Sequence, residues 1–504
     1  MKISDIQKIM KMNDSTKRES HPDKSSHPPL RKIFSISSVY GITPILDRLL
    51  SLLLLPVFTK YLSTEGYGNM VLLYTSATVL QLFLFMGLPA SLQKTYWDFR
   101  GEERKAFMGT AWISNLAFNL AIAVPLVFLS GSISAVILKN EKIGLLFVLV
   151  IVKILMSTQT IVPFVILRAR EQKFEILKVN LISIFVRVTL TLLFLIYLKL
   201  DLVGIFLADI CVSIAVQFVY LPILLKEINL TFRWHYLKEI LTLSSFQFIV
   251  EILAWIISLS DRMIIQQIFS NPSEVAVYAV GYTFGSAILF LVKPVQAAWH
   301  PHVYSVHGNS RKDYTNQMGE FLFYFIVICC ISFLVLTSVS GDLIKILTPV
   351  AYHRAASLVG IVLIAQVMAL ISDYFVPTFF ITKKMQLVAA VYALSAITNV
   401  AFNLILIPKM GIMGAAVATL ISYGIMAGVL YIESQRLIRI DINFQSIFIT
   451  AIITAAIWYL LLNMGVANPL LSLVLKMLTL TPVLVISAMW LYRRRSQKSL
   501  VTSP

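Results

Sequence analysis

Cysteine, acidic residues and long polar loops are all scarce in this chain. Only 3 cysteines occur in 504 residues. Cys211, Cys329 and Cys330 fall inside apolar stretches, which excludes a disulfide framework and metal-ligand spacing. Asp and Glu number 25 against 42 Lys and Arg, and charged residues make up 13% of the chain. No glycine-rich phosphate loop or dinucleotide fingerprint is present, so nothing points to ATP hydrolysis or to any cofactor. His300 and His302 flank Pro301 at a helix end and do not make a metal site. No connection is long enough to house a soluble domain. The longest, near 93–107, 226–238 and 300–317, hold a short surface helix at most. That argues against an enzyme with an extramembrane active site.

What the chain has is apolar length. Its hydrophobic fraction is 58% and its mean hydropathy +0.82, well above a soluble domain's roughly 45–50% apolar content. It divides into about fourteen apolar stretches, each long enough to cross a hydrocarbon core of about 30 Å. They lie near 35–58, 66–92, 108–130, 144–168, 174–198, 202–225, 239–268, 276–299, 318–340, 356–381, 386–408, 411–432, 446–464 and 469–492. Every second connection is rich in Lys and Arg, with Arg100, Arg104 and Lys105 in one, Arg168, Arg170 and Lys173 in the next, and Lys226, Arg233 and Lys238 in a third. Lys and Arg are retained on the cytoplasmic side, so the alternation orients the chain with both termini inside. The predicted fold is all-α and integral to the membrane.

The formal charge of +17 is spread over two tails and alternate loops, so it reads as topology and attraction to anionic membrane lipid, not as a nucleic-acid surface. The first thirty residues lack an apolar core and a small-residue cleavage site, and read as a cytoplasmic tail, not a signal peptide. The expected organisation is a polar tail at 1–34, a six-helix bundle at 35–225, a linker at 226–238, a second bundle at 239–432, two extra helices at 433–492 and a basic tail at 493–504.

The two bundles read as copies. LIYLKLDLVGIFLADICVSIAV from Leu195 resembles LILIPKMGIMGAAVATLISYGIMAG from Leu404, with Lys199 opposite Lys409 and Gly204 opposite Gly414. A similar offset places Asp47-Arg48 on Asp261-Arg262. Parallel repeats put a site at their interface and suit alternating access.

Charges at bilayer depth cost about 2.5–3.5 kcal/mol on the insertion scale and should face a protein interior or a wet cavity. The cations are Arg48, Lys153, Arg187, Arg262 and Lys293; the acids are Asp47, Asp209, Glu251, Asp261 and Asp373. Lys476 lies near a helix end, where it can snorkel to the surface. Helical spacing puts Glu251, Trp255, Ser258 and Arg262 on one face, and Asn180, Ser183, Arg187 and Thr191 on another. Lys153 and Ser157 share a third, and Ser395, Asn399 and Asn403 repeat the pattern without charge. These stripes predict a hydrophilic cavity between the bundles. Lys153, Arg187 and Lys293 have no local acid, and the surplus of cations points to an anionic cargo. For the adjacent pairs Asp47-Arg48 and Asp261-Arg262 two readings stand: a cavity group, or interhelical glue.

PVFTKYLSTEGYGNMVLLYT carries Pro56, Thr59, Lys60, Leu62, Glu65, Tyr67 and Gly68 in the pattern P-x-x-T-[RK]-x-L-x-x-E-x-[FY]-G. GLPASLQKTY from Gly87, SLSDRMIIQQIFSNPSEVAVYAVGYTFGS with Asp261, Arg262 and Tyr278, and the pair Trp299 and Pro301 add to it. On these motifs residues 35–490 resemble the bacterial polysaccharide repeat-unit flippases of the multidrug/oligosaccharidyl-lipid/polysaccharide exporter superfamily. The resemblance implies a bacterial inner-membrane protein that flips an undecaprenyl-pyrophosphate-linked oligosaccharide to the periplasmic leaflet for a surface polysaccharide such as lipopolysaccharide O-antigen. It makes Arg48, Lys153, Arg187, Arg262 and Lys293 headgroup contacts, and a glycan polymerase and glycosyltransferases natural partners. Ser157, Ser183, Trp255, Ser258, Asn399 and Asn403 are expected to line the cavity, and Glu251, Asp209 or Asp373 to couple transport to proton entry, since burial raises a carboxylate pKa. Two competing readings share the superfamily: a cation-coupled drug exporter, which calls for an acidic cavity, and a peptidoglycan-precursor flippase. A glycan polymerase or ligase calls for a large periplasmic loop, which the chain lacks.

Overall fold

The computed structural model describes residues 49–85, 87–140, 143–309, 311–462 and 468–482, and every regular element among them is helical. That follows from the solvent: hydrocarbon offers backbone groups no partner, so each spanning segment bonds within itself. The helices are α1 (Leu49–Tyr61), α2 (Thr64–Phe85), α3 (Leu88–Thr95), α4 (Gly101–Phe128), α5 (Ser130–Leu138), α6 (Gly144–Thr158), α7 (Ile161–Ala169), α8 (Lys173–Leu192) and α9 (Asp201–Glu227). Then come α10 (Trp234–Phe269), α11 (Pro272–Gly285), α12 (Ile288–Asn309), α13 (Arg311–Leu347), α14 (Ala356–Ile381), α15 (Met385–Met410), α16 (Ile412–Leu437) and α17 (Phe444–Leu462), and α18 (Pro469–Pro482). Ten of the described spans are long and apolar enough to cross a membrane, and two bent pairs raise this to twelve. One pair is Pro272–Gly285 with Ile288–Gln296, bent by 45°. Large apolar side chains such as Leu53, Phe128, Phe185, Phe218, Ile397 and Phe448 stand exposed around the bundle. On a soluble protein they would be a liability; in a bilayer they are its lipid-facing surface.

Several helices outrun their apolar cores. The connection expected near 300–317 is almost wholly helical, because α12 runs on to Asn309 and α13 begins at Arg311. The linker at 226–238 is docked, not loose: the Asn229 amide donates to the Lys105 carbonyl at 3.0 Å, and Thr110 Oγ1 donates to the Thr231 carbonyl at 3.0 Å. At the same end, the Arg170 guanidinium donates to Glu227 Oε1 at 2.9 Å and to the Tyr96 hydroxyl at 2.6 Å. The bonding to Glu227 raises the Arg170 pKa further above its usual value. The tails, Asp47 and Arg48 lie outside the described residues.

Close approaches recur about 210 residues apart. A Cβ on Gly109 would lie 1.7 Å from the Asn229 carbonyl oxygen, and one on Gly319 would lie 1.8 Å from that of Asp441. Gly204 abuts Phe194, at that residue's Cβ, and Gly414 abuts Leu406, at that residue's carbonyl. Helix pairing repeats too: α9 packs on α6 and α8, as α16 packs on α14 and α15. The halves meet where α2 crosses α11, and there a Cβ on Gly68 would lie 1.9 Å from the Pro272 carbonyl oxygen. Only glycine permits that approach, which accounts for the Tyr67-Gly68 end of the sequence signature.

α17 and α18 pack on α13. Asp342 of α13 accepts from Ser472 Oγ and Lys476 Nζ, each at 2.9 Å. Lys476 therefore does not snorkel to the surface: its side chain is 15% exposed and paired. The sequence spacing missed Asp342 because the two partners lie on helices far apart in the chain.

Candidate functional site

Two cavities open between the helices and share Ser51, Leu259 and Thr283 in their walls. The one in the first half, about 440 Å³, is built by α1, α2, α6, α8 and α9 and closed by α10 and α11. Lys153 of α6, Arg187 and Thr191 of α8, Asp209 of α9 and Tyr74 of α2 face it. Asp209 accepts from the Tyr74 hydroxyl at 2.8 Å and pairs with Arg187 Nε at 3.2 Å. Lys153 makes no ion pair or hydrogen bond among the described residues, and lies within electrostatic reach of both Asp209 and Arg187.

Arg262 reaches the same wall from α10 but is closed in on itself. It is 6% exposed. Its guanidinium donates to Asp261 Oδ1 at 2.9 Å and to the Ser258 carbonyl at 3.0 Å, and sits 4.5 Å from the centre of the Tyr282 ring. The Tyr278 hydroxyl completes the shell by donating to Asp261. Of the two readings left open for Asp261-Arg262, the geometry combines both: Asp261 is fully buried and locks the helix junction, while Arg262 edges the cavity.

The second cavity, about 600 Å³, is lined from α10, α11, α12, α14, α15 and α16. Its polar groups are Ser51, Ser258, Tyr282, Thr283, Ser286, Lys293, Gln366, Asp373, Tyr392 and Tyr423. Lys293 and Asp373 form an ion pair, and Tyr392 lines the same cavity within electrostatic reach of Asp373. Gln366 Nε2 donates to the Tyr282 hydroxyl at 3.1 Å. Among the described residues the first cavity region holds three cations and two acids, Asp261 included; the second holds one of each.

Arg187 and Lys293, which have no local acid, are each paired with a distant one. Their partners come from other helices, Asp209 across the α8–α9 hairpin and Asp373 some 80 residues on, and local spacing registers neither. Asn399 and Asn403 line no cavity: both are fully buried, with Asn403 Nδ2 donating to Asn399 Oδ1 at 2.9 Å inside the α15 packing surface. The cavity-facing member of that stripe is Tyr392. Ser157 and Ser183 turn back onto their own helix carbonyls at 3.0 and 2.9 Å. Trp255 Nε1 donates to Thr78 Oγ1 at 2.9 Å, tying α10 to α2. Glu251 accepts from Gln247 on its own helix at 3.1 Å and lies outside both cavity walls. Arg48 lies outside the described residues, two positions before Leu50 and three before Ser51, both of which line the first cavity. Tyr74, Gln366 and Tyr423 were missed, because an isolated tyrosine or glutamine in an apolar helix reads as core.

Among the described residues no group of three His, Cys, Asp or Glu is placed to hold a metal ion. The arrangement suits an anion lodged between Lys153 and Arg187, with hydroxyl and amide groups beyond it.

The profile of the polysaccharide biosynthesis protein family matches residues 30–307. No curated protein matches in sequence. Among solved structures the chain is similar to a lipid II flippase, MurJ, in an inward closed conformation: TM-score 0.70, 16% identity, covering 92% of this chain and 99% of that one. It is similar also to an inward-facing multidrug resistance transporter of the MATE family and MOP superfamily, at TM-score 0.64 and 13% identity over 78% and 94% of the two chains. A MATE transporter of Vibrio cholerae gives TM-score 0.60 and 14% identity over 81% and 97%. At these identities the likeness is one of fold.

Proposed function

This chain belongs to the polysaccharide biosynthesis protein family, and on that premise we propose that it flips undecaprenyl-pyrophosphate-linked oligosaccharide repeat units from the cytoplasmic to the periplasmic leaflet. The observation that carries this reading is Lys153, without an ion-pair partner among the described residues, beside Arg187 in a cavity enclosed by spanning helices. A pyrophosphate cannot enter hydrocarbon alone, since an isolated charge there costs tens of kcal/mol by Born solvation. Arg187 offers planar, two-pronged donation to phosphate oxygens and Lys153 a compact charge. The polyprenyl tail stays in lipid while the headgroup crosses through the cavity. Opening the two halves alternately, as repeat-built transporters do, exposes that cavity to each leaflet in turn. The Asp209–Arg187 and Asp373–Lys293 pairs give each cavity an acid that protonation would release from its cation, which is how proton entry would loosen the site.

A drug exporter for cationic cargo fits less well, because the cation surplus lies in the cavity itself. The test is the lipid-linked glycan pool, resolved by leaflet, in a host lacking this protein. Oligosaccharide-pyrophosphate lipid should accumulate facing the cytoplasm and be cleared by the wild-type chain but not by Lys153→Ala. An unchanged pool with new sensitivity to cationic drugs would move the chain to the exporter reading.

A further inference from the structure

We infer that the cavity of the second half is the glycan subsite, and that it is shaped for an uncharged sugar. The inference rests on the flippase reading and assigns the two cavities different parts of one headgroup. Three tyrosines and a glutamine join serine, threonine, lysine and aspartate groups in the polar wall of the 600 Å³ cavity, a volume within the roughly 300–1,000 Å³ of small-molecule sites. Tyrosine presents an apolar face and a polar tip, matching a sugar ring, whose C–H faces are apolar and whose rim is hydroxyl.

Tyr423 carries the point furthest. It is 8% exposed, lines the cavity, and its hydroxyl makes no hydrogen bond among the described residues. With its ring packed and its hydroxyl not sealed from the cavity, Tyr423 is placed to bond a ligand that enters it. Tyr282 stands between the cavities, one side against the Arg262 guanidinium at 4.5 Å and its hydroxyl bonded to Gln366. Thr283 lines both cavities beside it, so a headgroup with phosphate near Lys153 extends its sugars past Tyr282 toward Tyr423.

Charge sets the sugar class. Lys293, the cation of this cavity among the described residues, is neutralised by Asp373, with Tyr392 in electrostatic reach of that carboxylate. An acidic sugar would face Asp373 with no free cation to balance it. A neutral sugar meets hydroxyl, amide and carboxylate groups that match its own, and sites built to bond a substrate hydroxyl reject analogues that cannot supply it.

The experiment uses the full chain in lipid nanodiscs with three probes: farnesyl pyrophosphate, the same carrying a neutral hexose disaccharide, and the same carrying a uronic-acid disaccharide. The neutral disaccharide should bind about tenfold tighter than bare farnesyl pyrophosphate, and the acidic one no tighter than bare. Tyr392→Phe with Tyr423→Phe should erase the neutral-to-bare ratio, and Asp373→Asn should turn the neutral-over-acidic preference around by freeing Lys293. Equal gain from both sugars in the wild type, or a neutral gain that survives the double Phe variant, would overturn the inference. If bare farnesyl pyrophosphate fails to bind while the two disaccharides are still discriminated, the phosphate reading falls and the glycan subsite stands.

Discussion

In the first half of the molecule the cavity wall carries Lys153, Arg187 and Asp209; in the second, α14 and α15 offer Gln366 at the wall and Asn399 buried behind it. The helix pairs that build the two walls are the same, and glycine contacts of the same kind hold them. Backbone geometry has been kept between the halves while the lining has diverged. Shared packing needs only matched small residues and apolar faces, so it tolerates a wholesale change of cavity chemistry. The result is a lumen polarised from cationic to tyrosine-rich.

The largest effect expected from breaking this comparison lies at its hinge. Asp261→Ala strands the buried Arg262, and losing one member of a buried pair costs about 3–5 kcal/mol; a steep drop in unfolding temperature in detergent is the expected reading. Next, Lys153→Ala with Arg187→Ala should cut transport about 100-fold while the protein stays folded, since hydrogen bonds to charged groups contribute about 1.5–3 kcal/mol each. Gly109→Ala and Gly319→Ala should each lose about 1–3 kcal/mol, and by similar amounts, because the carbonyls they meet stand at 1.7 and 1.8 Å. Unequal losses would argue against equivalent packing in the two halves. Lys293→Ala should slow transport only a few-fold, measured in the same flux assay. Smallest of all, Asp342→Leu with Lys476→Met should be neutral to within about 1 kcal/mol, as paired apolar replacement of a buried ion pair often is, and should leave transport unchanged.

Much of the fold was legible because the bilayer writes it into composition. The span expected at 356–381 matches α14 residue for residue, and that at 174–198 matches the helical span Lys173–Tyr197 to within one position at each end. Ends were missed where helices leave the bilayer, as at Asn309, since hydropathy sees only the apolar part. In the site, charge at bilayer depth, with spacing along single helices, found Lys153, Arg187, Asp209, Lys293 and Asp373. It did not pair them, because Arg187 meets Asp209, and Lys293 meets Asp373, across helix boundaries. It also mistook Asn399 and Asn403 for lining, although a stripe of amides packs a helix as readily as it wets a cavity. Tyr423 gave no signal at all, because its role depends on three other helices.

The most direct test of the central claim is the rate at which lipid-linked oligosaccharide crosses proteoliposomes holding the purified chain. The account expects wild-type protein to move it, Lys153→Ala with Arg187→Ala to slow movement about 100-fold without unfolding, and Lys293→Ala to slow it only a few-fold. Equal loss from the Lys293 variant, or full activity in the double variant, would contradict a pyrophosphate path confined to the first half.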